Sequence, residues 1–451
     1  MPTTPPASAT SEPQPWVAPL APAPIHATVS VPGSKSETNR ALVLAALADR
    51  PSVVTGGLQA RDTSLMRDAL RALGVVIVES GDQWLVTPPA TFSGGVTIDC
   101  GLAGTVMRFV PALAALADGP VRFVGDPQAE SRPMAPLLQA LTDLGAEVRT
   151  EGGPGLPFTV TGSPSLRGGP VTIDASTSSQ YVSGLLLVGA RLAAGLDLQH
   201  VGPPVPSQPH IAMTVAMLRD HGIVIDDTAP DRWRVAPGVL TAHDVVVEPD
   251  LSNAAPFLAA AAVTGGMVTV PRWPEQTHQP GDEIREILQA FGAEVTWFQG
   301  ALTVRGTDHL HGVELDLRRA SELTPVVAAV AALADSTTQL HGVGHIRGHE
   351  TDRLAALNAE LSALGSGVVE EDDGLTINPK LLGGSWWRTY ADHRMAQAGA
   401  LLGLVVPNVE LDDVSCTAKT MPEFVRLWTG MIADSEARSE SVREPEHDPL
   451  L

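Results

Sequence analysis

Five times along this chain a helix-like segment closes on Leu-x-x-x-Gly and runs into a short strand-like stretch: LRALGVVIV, LTDLGAEVR, LRDHGIVID, LQAFGAEVT and LSALGSGVV. The glycines are Gly74, Gly145, Gly222, Gly292 and Gly365, so successive intervals are 71, 77, 70 and 73 residues. Glycine just past the last apolar helical position is the left-handed cap that ends a helix. One such ending says only how helices stop; five in step define a repeat. Each cap is followed by a second strand-like run: WLVTP, FTVTG, WRVAP, LTVRG or LTINP. Four units then carry an alternating strand, a polar break and an apolar helix: VTIDCGLAGTVMRFV, VTIDASTSSQYVSGLL, VVVEPDLSNAAPFLAAA and VELDLRRASELTPVVAAV. TYADHRMAQAGALLGL sits at the equivalent place in the fifth, and the chain closes on FVRLWTGMI, a helix with no strand pair after it. A unit of about 72 residues therefore recurs about six times. Units that mix crossovers with hairpins specify α/β architecture. Six of them exceed one core's normal size, so two lobes of three units are expected, with a site between them.

Residues 1–24, rich in Pro, Ala, Ser and Thr, read as a disordered tail, and residues 433–451 as a disordered acidic one. A formal charge of −22 argues against nucleic acid or an anionic membrane as partner. No secretory signal or bilayer-spanning apolar run is present, and the two cysteines, Cys100 and Cys416, exclude a disulfide scaffold and a Cys-based zinc site. A cytoplasmic location is expected. Of 29 basic side chains only Lys35, Lys380 and Lys419 are lysines, so where each one sits carries information.

The sharpest local feature is VPGSKSETNRALVLAALA, residues 31–48. Pro32-Gly33 breaks a strand, Ser34 can cap, and Lys35, Ser36 and Arg40 gather where free backbone N–H groups and the helix dipole favour an anion. The spacing is not that of a Walker A loop. DCGLAGTVMRF adds Gly101 and Gly104, which let backbone approach a ligand, with Thr105 and Arg108. Arg132 in ESRPM stands just before a proline that starts a helix, and the hydroxyl-amide cluster STSSQ, residues 176–180, opens the next repeat. Each motif alone is an ordinary cap. Their equivalent places in successive repeats put them on one face.

The second half supplies Glu322, RGHETDR at 347–353, YADHRM at 390–395 and CTAKTMPEF at 416–424. Arg353, Arg394 and Lys419 form a second cationic set, with Glu322 and Glu350 as acid–base groups. His345 and His349 have metal-ligand spacing, but Gly344 and Gly348 oppose a helix there and no third ligand is evident. Asp392-His393 suggests a hydrolase triad, yet no G-x-S-x-G elbow accompanies it.

PGSKSETNRALVLAALA, LAGTVMRF, ESRP, STSSQ, GHETDR, ADHRMA and CTAKTMPEF, in that order and spacing, resemble the 5-enolpyruvylshikimate-3-phosphate synthase family over residues 25–432. The resemblance implies the enolpyruvyl transferase fold, an α/β prism of two lobes, each of three βαβαββ units. Residues 25–33 plus 248–432 would form one lobe and 34–247 the other. It implies transfer of the carboxyvinyl group of phosphoenolpyruvate to shikimate 3-phosphate by addition and elimination, on the way to chorismate, with no metal and no other cofactor. The partners are then these two small molecules, the chain a monomer, and glyphosate a competitor at the phosphoenolpyruvate pocket.

By the same likeness Lys35, Gly104, Arg132, Gln180, Arg353, Arg394 and Lys419 surround phosphoenolpyruvate. Lys35, Ser36, Arg40, Ser178, Ser179, Gln180, Ser207, Glu322, His345 and His349 hold shikimate 3-phosphate. Glu322 is the candidate base, with Glu350 and Lys35 as candidates for proton delivery. Four positions depart from the family pattern: Glu322 replaces an Asp, His345 and His349 replace Asn and Lys, and Leu102 replaces an Asn. Two alternatives stay open, a UDP-N-acetylglucosamine enolpyruvyl transferase and a non-catalytic phosphometabolite-binding protein.

Overall fold

The computed structural model describes residues 15–153 and 155–443. All five repeat glycines have positive φ, from 78° at Gly222 to 111° at Gly145, so each helix ends in the left-handed turn its sequence calls for. The strands form six sheets, five of four strands and one of three. The unit is plain in the strands Val96–Asp99, Pro120–Val124, Glu147–Thr150 and Phe158–Thr161. The first two pair in parallel across a buried helix, and the hairpin of the last two adds antiparallel through Phe158–Thr161.

The sheets enclose two separate hydrophobic cores. One draws its residues from Ala41 to Val247, the other from Ala18 to Val31 and from Leu251 to Ile432. Three helices in each are buried nearly all round. They are Lys35–Leu47, Gly104–Ala114 and Ser179–Gly189 in the first, and Leu251–Thr264, Thr324–Ala332 and His393–Gly403 in the second. Outer helices such as Arg61–Ala72 bury only one face.

The chain crosses between the cores twice, side by side. The N–H of Ser34 donates to Glu248 O at 2.8 Å and that of Asp250 to Pro32 O at 2.9 Å. A Cβ at Gly33 would lie 2.2 Å from Gly56 O, so only glycine fits this crossing.

Both expected tails are shorter than composition suggested. Trp16–Val17 is a strand, antiparallel to Glu410–Leu411, and it completes the last sheet, whose other strand is Trp386–Trp387. The proline-rich leader thus supplies the antiparallel strand that the sixth unit lacks, and Ala18 packs against Gly403, where a side chain would collide with it. At the other end, Phe424–Arg443 is a continuous helix. Ser435 is buried there, donating to Met431 O and accepting the N–H of His26, which docks the helix despite its acidic composition. Residues 1–14 and 444–451 lie outside the described residues. Among the described residues, no helix is long and apolar enough to cross a membrane.

Candidate active site

The N-terminal ends of all six buried helices converge on a cavity of about 290 Å³ between the two cores. Its wall includes Lys35 and Ser36, Gly104, Ser178 and Gln180 from the first, with Asp250 and Ser252, Glu322 and Arg394 from the second. Six converging N-termini give a positive field before any side chain is counted.

Local sequence sets each end. Ser34 caps the Lys35 helix by accepting the Glu37 N–H, Ser178 accepts that of Gln180, Asp250 that of Asn253, and Asp392 that of Arg394. The glycines at 344 and 348 leave a short 3₁₀ turn, Gly344–Gly348, which brings the His345 and His349 rings to 5.7 Å at a steep angle.

Of the residues selected from sequence, the cavity wall holds Lys35, Ser36, Gly104, Arg132, Ser178, Gln180, Glu322, His345, His349, Glu350, Arg353 and Arg394. Four others stand behind it. Lys419 reaches the site through Glu350, with Nζ 2.5 Å from Oε1. Ser179 is buried in its helix. Ser207 bridges the lobes, its hydroxyl 3.1 Å from that of Ser321 and its N–H donating to Arg318 O. Arg40, 1% exposed, is not among the wall residues and is bonded within its own core, with Glu322 of the wall among the charges that act on it. Its guanidinium donates to Thr214, Ser183 and the carbonyls of Ser36 and His210, and lies over Phe109. A helical turn puts Arg40 above Ser36 on the face that packs inward, so the charge is consumed by buried oxygens.

The electrostatics divide the wall in two. On one side Arg108 and Arg132 flank Gly104, whose notional Cβ would be 3.3 and 3.5 Å from their terminal nitrogens. Arg108 donates to Gly104 O and Arg132 to Leu102 O; neither pairs with a carboxylate among the described residues, and their Nε atoms have no partner. Burial first, then Arg132 beside it, lowers Arg108 to about 10.

Lys35 lies 3.5 Å from Asp62, a carboxylate only 1% exposed. Burial opposes its charge, but Asp62, Glu350 and Glu322 outweigh that and raise its pKa. On the other side Arg353 clasps Asp392 through Nε and Nη2 at 2.7 and 3.1 Å and donates to Glu350 at 3.0 Å.

Both candidate carboxylates are ionised. Burial would raise Glu350, yet Lys419, Arg353 and Arg132 hold it well below the usual carboxylate range. Glu322 is held low in the same way, against burial, by His210 at 3.5 Å and by Arg394 and Lys35. His345 and His349 are neutral. Burial lowers His345 to about 4, while burial and then Arg353 push His349 far down, and its Nδ1 lies 3.2 Å from an Arg353 nitrogen.

Sequence reasoning missed Asp62, His210, Tyr181, Asp250, Gln279 and Ser252. Asp250 and Ser252 were within reach, because they occupy the polar break of VVVEPDLSNAAPFLAAA, equivalent to GLAGT and STSSQ. Asp62 and His210 sit on other helices with no such mark. Asp392 was weighed only as a triad member, whereas it caps a helix and anchors Arg353.

A model of the EPSP synthase (3-phosphoshikimate 1-carboxyvinyltransferase) family matches residues 20–428. The chain is 52% identical over 428 residues to a 3-phosphoshikimate 1-carboxyvinyltransferase of Mycobacterium ulcerans (strain Agy99), across 94% of this chain and 99% of that one. Among solved structures it is similar to EPSP synthase from Acinetobacter baumannii, with TM-score 0.77 and 24% identity over 91% of this chain and 97% of that one. It is also similar to the enolpyruvyl transferase NikO from Streptomyces tendae, with TM-score 0.73 and 18% identity over 93% and 98%. The two structural likenesses speak for the fold alone, a two-lobed α/β fold of the enolpyruvyl transferase type.

Proposed function

The chain belongs to the EPSP synthase family, and from that premise we propose that it transfers the carboxyvinyl group of phosphoenolpyruvate to the 5-hydroxyl of shikimate 3-phosphate. The observation that carries this reading is the pair Arg108 and Arg132. They are guanidiniums without carboxylate partners beside Gly104, in a cavity whose other lobe supplies an ionised Glu322. Such forks suit a phosphate or carboxylate, and both substrates carry each group.

In this reading Lys35, Gly104, Arg132, Gln180, Arg353 and Arg394 surround phosphoenolpyruvate, with Lys419 acting through Glu350. Ser36, Ser178, Gln180, Glu322, His345 and His349 face shikimate 3-phosphate, and Arg40, Ser179 and Ser207 support that wall from behind. Being neutral, His345 and His349 offer hydrogen bonds rather than charge.

Glu322 takes the proton of the 5-hydroxyl as its oxygen bonds to C2, and the π pair accepts a proton at C3. Since Glu350 is ionised, that proton comes from an ammonium, either Lys35 or Lys419 through Glu350. C3 then returns a proton, the double bond re-forms, and the bond to phosphate breaks. Positioned proton transfer of this kind is worth about 10²–10⁴-fold. Closure of the lobes, 34–247 against 25–33 with 248–432, would exclude water from the intermediate.

A sister reaction that relies on a reactive cysteine is disfavoured, because burial pushes both Cys100 and Cys416 thiols up to about 12. The charge of −22 speaks against nucleic acid or an anionic membrane as a partner beside the two small-molecule substrates. The test is coupled phosphate release with phosphoenolpyruvate and either shikimate 3-phosphate or UDP-N-acetylglucosamine. Release with the first acceptor is expected; release with the sugar nucleotide alone would overturn the reading.

A further inference from the structure

Two consecutive residues, Tyr390 and Ala391, adopt the left-handed conformation, with φ of 55° and 54°. A residue with a Cβ is disfavoured there, and such strain persists only where surroundings enforce it. Directly after the pair stands Asp392, wholly buried, which caps helix His393–Gly403 through the Arg394 N–H and clasps Arg353 through two bonds.

The enforcing group is Glu360, 3% exposed and seven residues beyond Arg353 on helix Arg353–Leu364. Its Oε1 accepts the Tyr390 hydroxyl at 2.7 Å and its Oε2 the Arg388 N–H at 3.0 Å. On the other flank Asp412 accepts both the N–H and the hydroxyl of Thr389 at 2.8 Å. Seven residues are about two helical turns, so Arg353 and Glu360 share a face and hold the strained turn at two points.

We propose that Glu360 and Tyr390 form a positioning clamp for the phosphoenolpyruvate side of the site, fixing Asp392 and through it Arg353. Neither touches substrate, and the proposal rests on the enolpyruvyl-transfer reading above. The chemistry requires Arg353 to hold one orientation: its Nη2 also donates to Glu350, and Lys419 pairs with Glu350. A slack turn therefore disturbs three charges at once.

The test is steady-state kinetics of Tyr390→Phe and Glu360→Gln, each varying both substrates. Wild-type turnover is measured first, and its absence would sink the enzymatic reading rather than the clamp. With wild type active, we expect each variant to raise KM for phosphoenolpyruvate about tenfold, the worth of one bond to a charged group. KM for shikimate 3-phosphate should change less than about twofold, because a residue that only supported the fold would not separate the two.

Ala391 is exposed, so Ala391→Gly removes strain without leaving a void. The double variant Tyr390→Phe/Ala391→Gly should regain most of the lost affinity. Wild-type constants in the single variants, equal rises in both KM values, or no rescue by Ala391→Gly would each overturn the clamp.

Discussion

Removing Lys35 should damage this protein twice, and the two injuries can be separated. Asp62 is 1% exposed, neither of its carboxylate oxygens has a hydrogen-bond partner, and the ammonium of Lys35 lies 3.5 Å away. Lys35→Ala leaves that carboxylate buried without a counter-charge, which destabilises by about 3–5 kcal/mol. Deleting both members, in Lys35→Ala/Asp62→Ala, removes the stranded charge. It forfeits only the help an acid gives in the first turn of helix Arg61–Ala72, about 0.3–1 kcal/mol. The first quantity is the larger, so the double variant should unfold at higher urea than the single one. Turnover should follow the opposite logic and stay lost in both, because the proton carrier at the cavity wall is missing in each. Urea unfolding by tryptophan fluorescence and phosphate release would be measured on the same preparations. A Lys35→Ala protein as stable as its parent would show that Asp62 is not stranded. Recovered turnover in the double variant would show that Lys35 only neutralises Asp62, and either result refutes the reasoning.

Gly104→Ala places a methyl 3.3 Å from Arg108 Nη1 and Gln180 Oε1. These are ends of flexible side chains that can retreat by tenths of an ångström, so stability should hold while KM for phosphoenolpyruvate rises about tenfold in steady-state kinetics. Lys419→Ala strips the partner 2.5 Å from Glu350 and should lower turnover by at least about 10²-fold, whereas Lys380→Ala, in an exposed loop, should match wild type. Equal losses in phosphate release would break that partition. At the crossover between lobes, burial and then Glu248 push the Glu37 carboxyl up from 4.5 to about 8. The folded state therefore holds a proton that the unfolded chain releases, and stability falls as pH climbs from 4.5 to 8. Glu37→Gln should raise the unfolding midpoint progressively over that window and level off above it; a gain that is the same at pH 4.5 and pH 8 would contradict the shift.

Much of the site was legible because the features that mark it are local. A left-handed glycine cap, a Ser or Asp that accepts its own helix's N–H, and an apolar run all fall within about fifteen residues. Repeating them at a 70–77 residue interval fixed the unit and aligned the polar breaks that line the cavity. Arg40 shows the limit. Its place after Lys35 and Ser36 suggested an anion site, but which face of a helix meets the core depends on what packs there, here Ser183, Thr214 and Phe109. Asp62 carried no local mark at all, since its importance is the distance to an ammonium on another helix.

By itself, then, the sequence determined the repeat, the α/β class, the helix ends and most of the charges that meet between the lobes. Only the tertiary structure decided that Trp16–Val17 closes a sheet with residues 410–411, that Arg40 bonds to Thr214, and that Glu360 accepts the Tyr390 hydroxyl in the turn before Asp392. The physical reason is one of range. Backbone conformation and capping are settled by neighbours along the chain, whereas a strand's partner or a buried charge's counter-ion is settled by whichever distant residue packing brings within bonding distance.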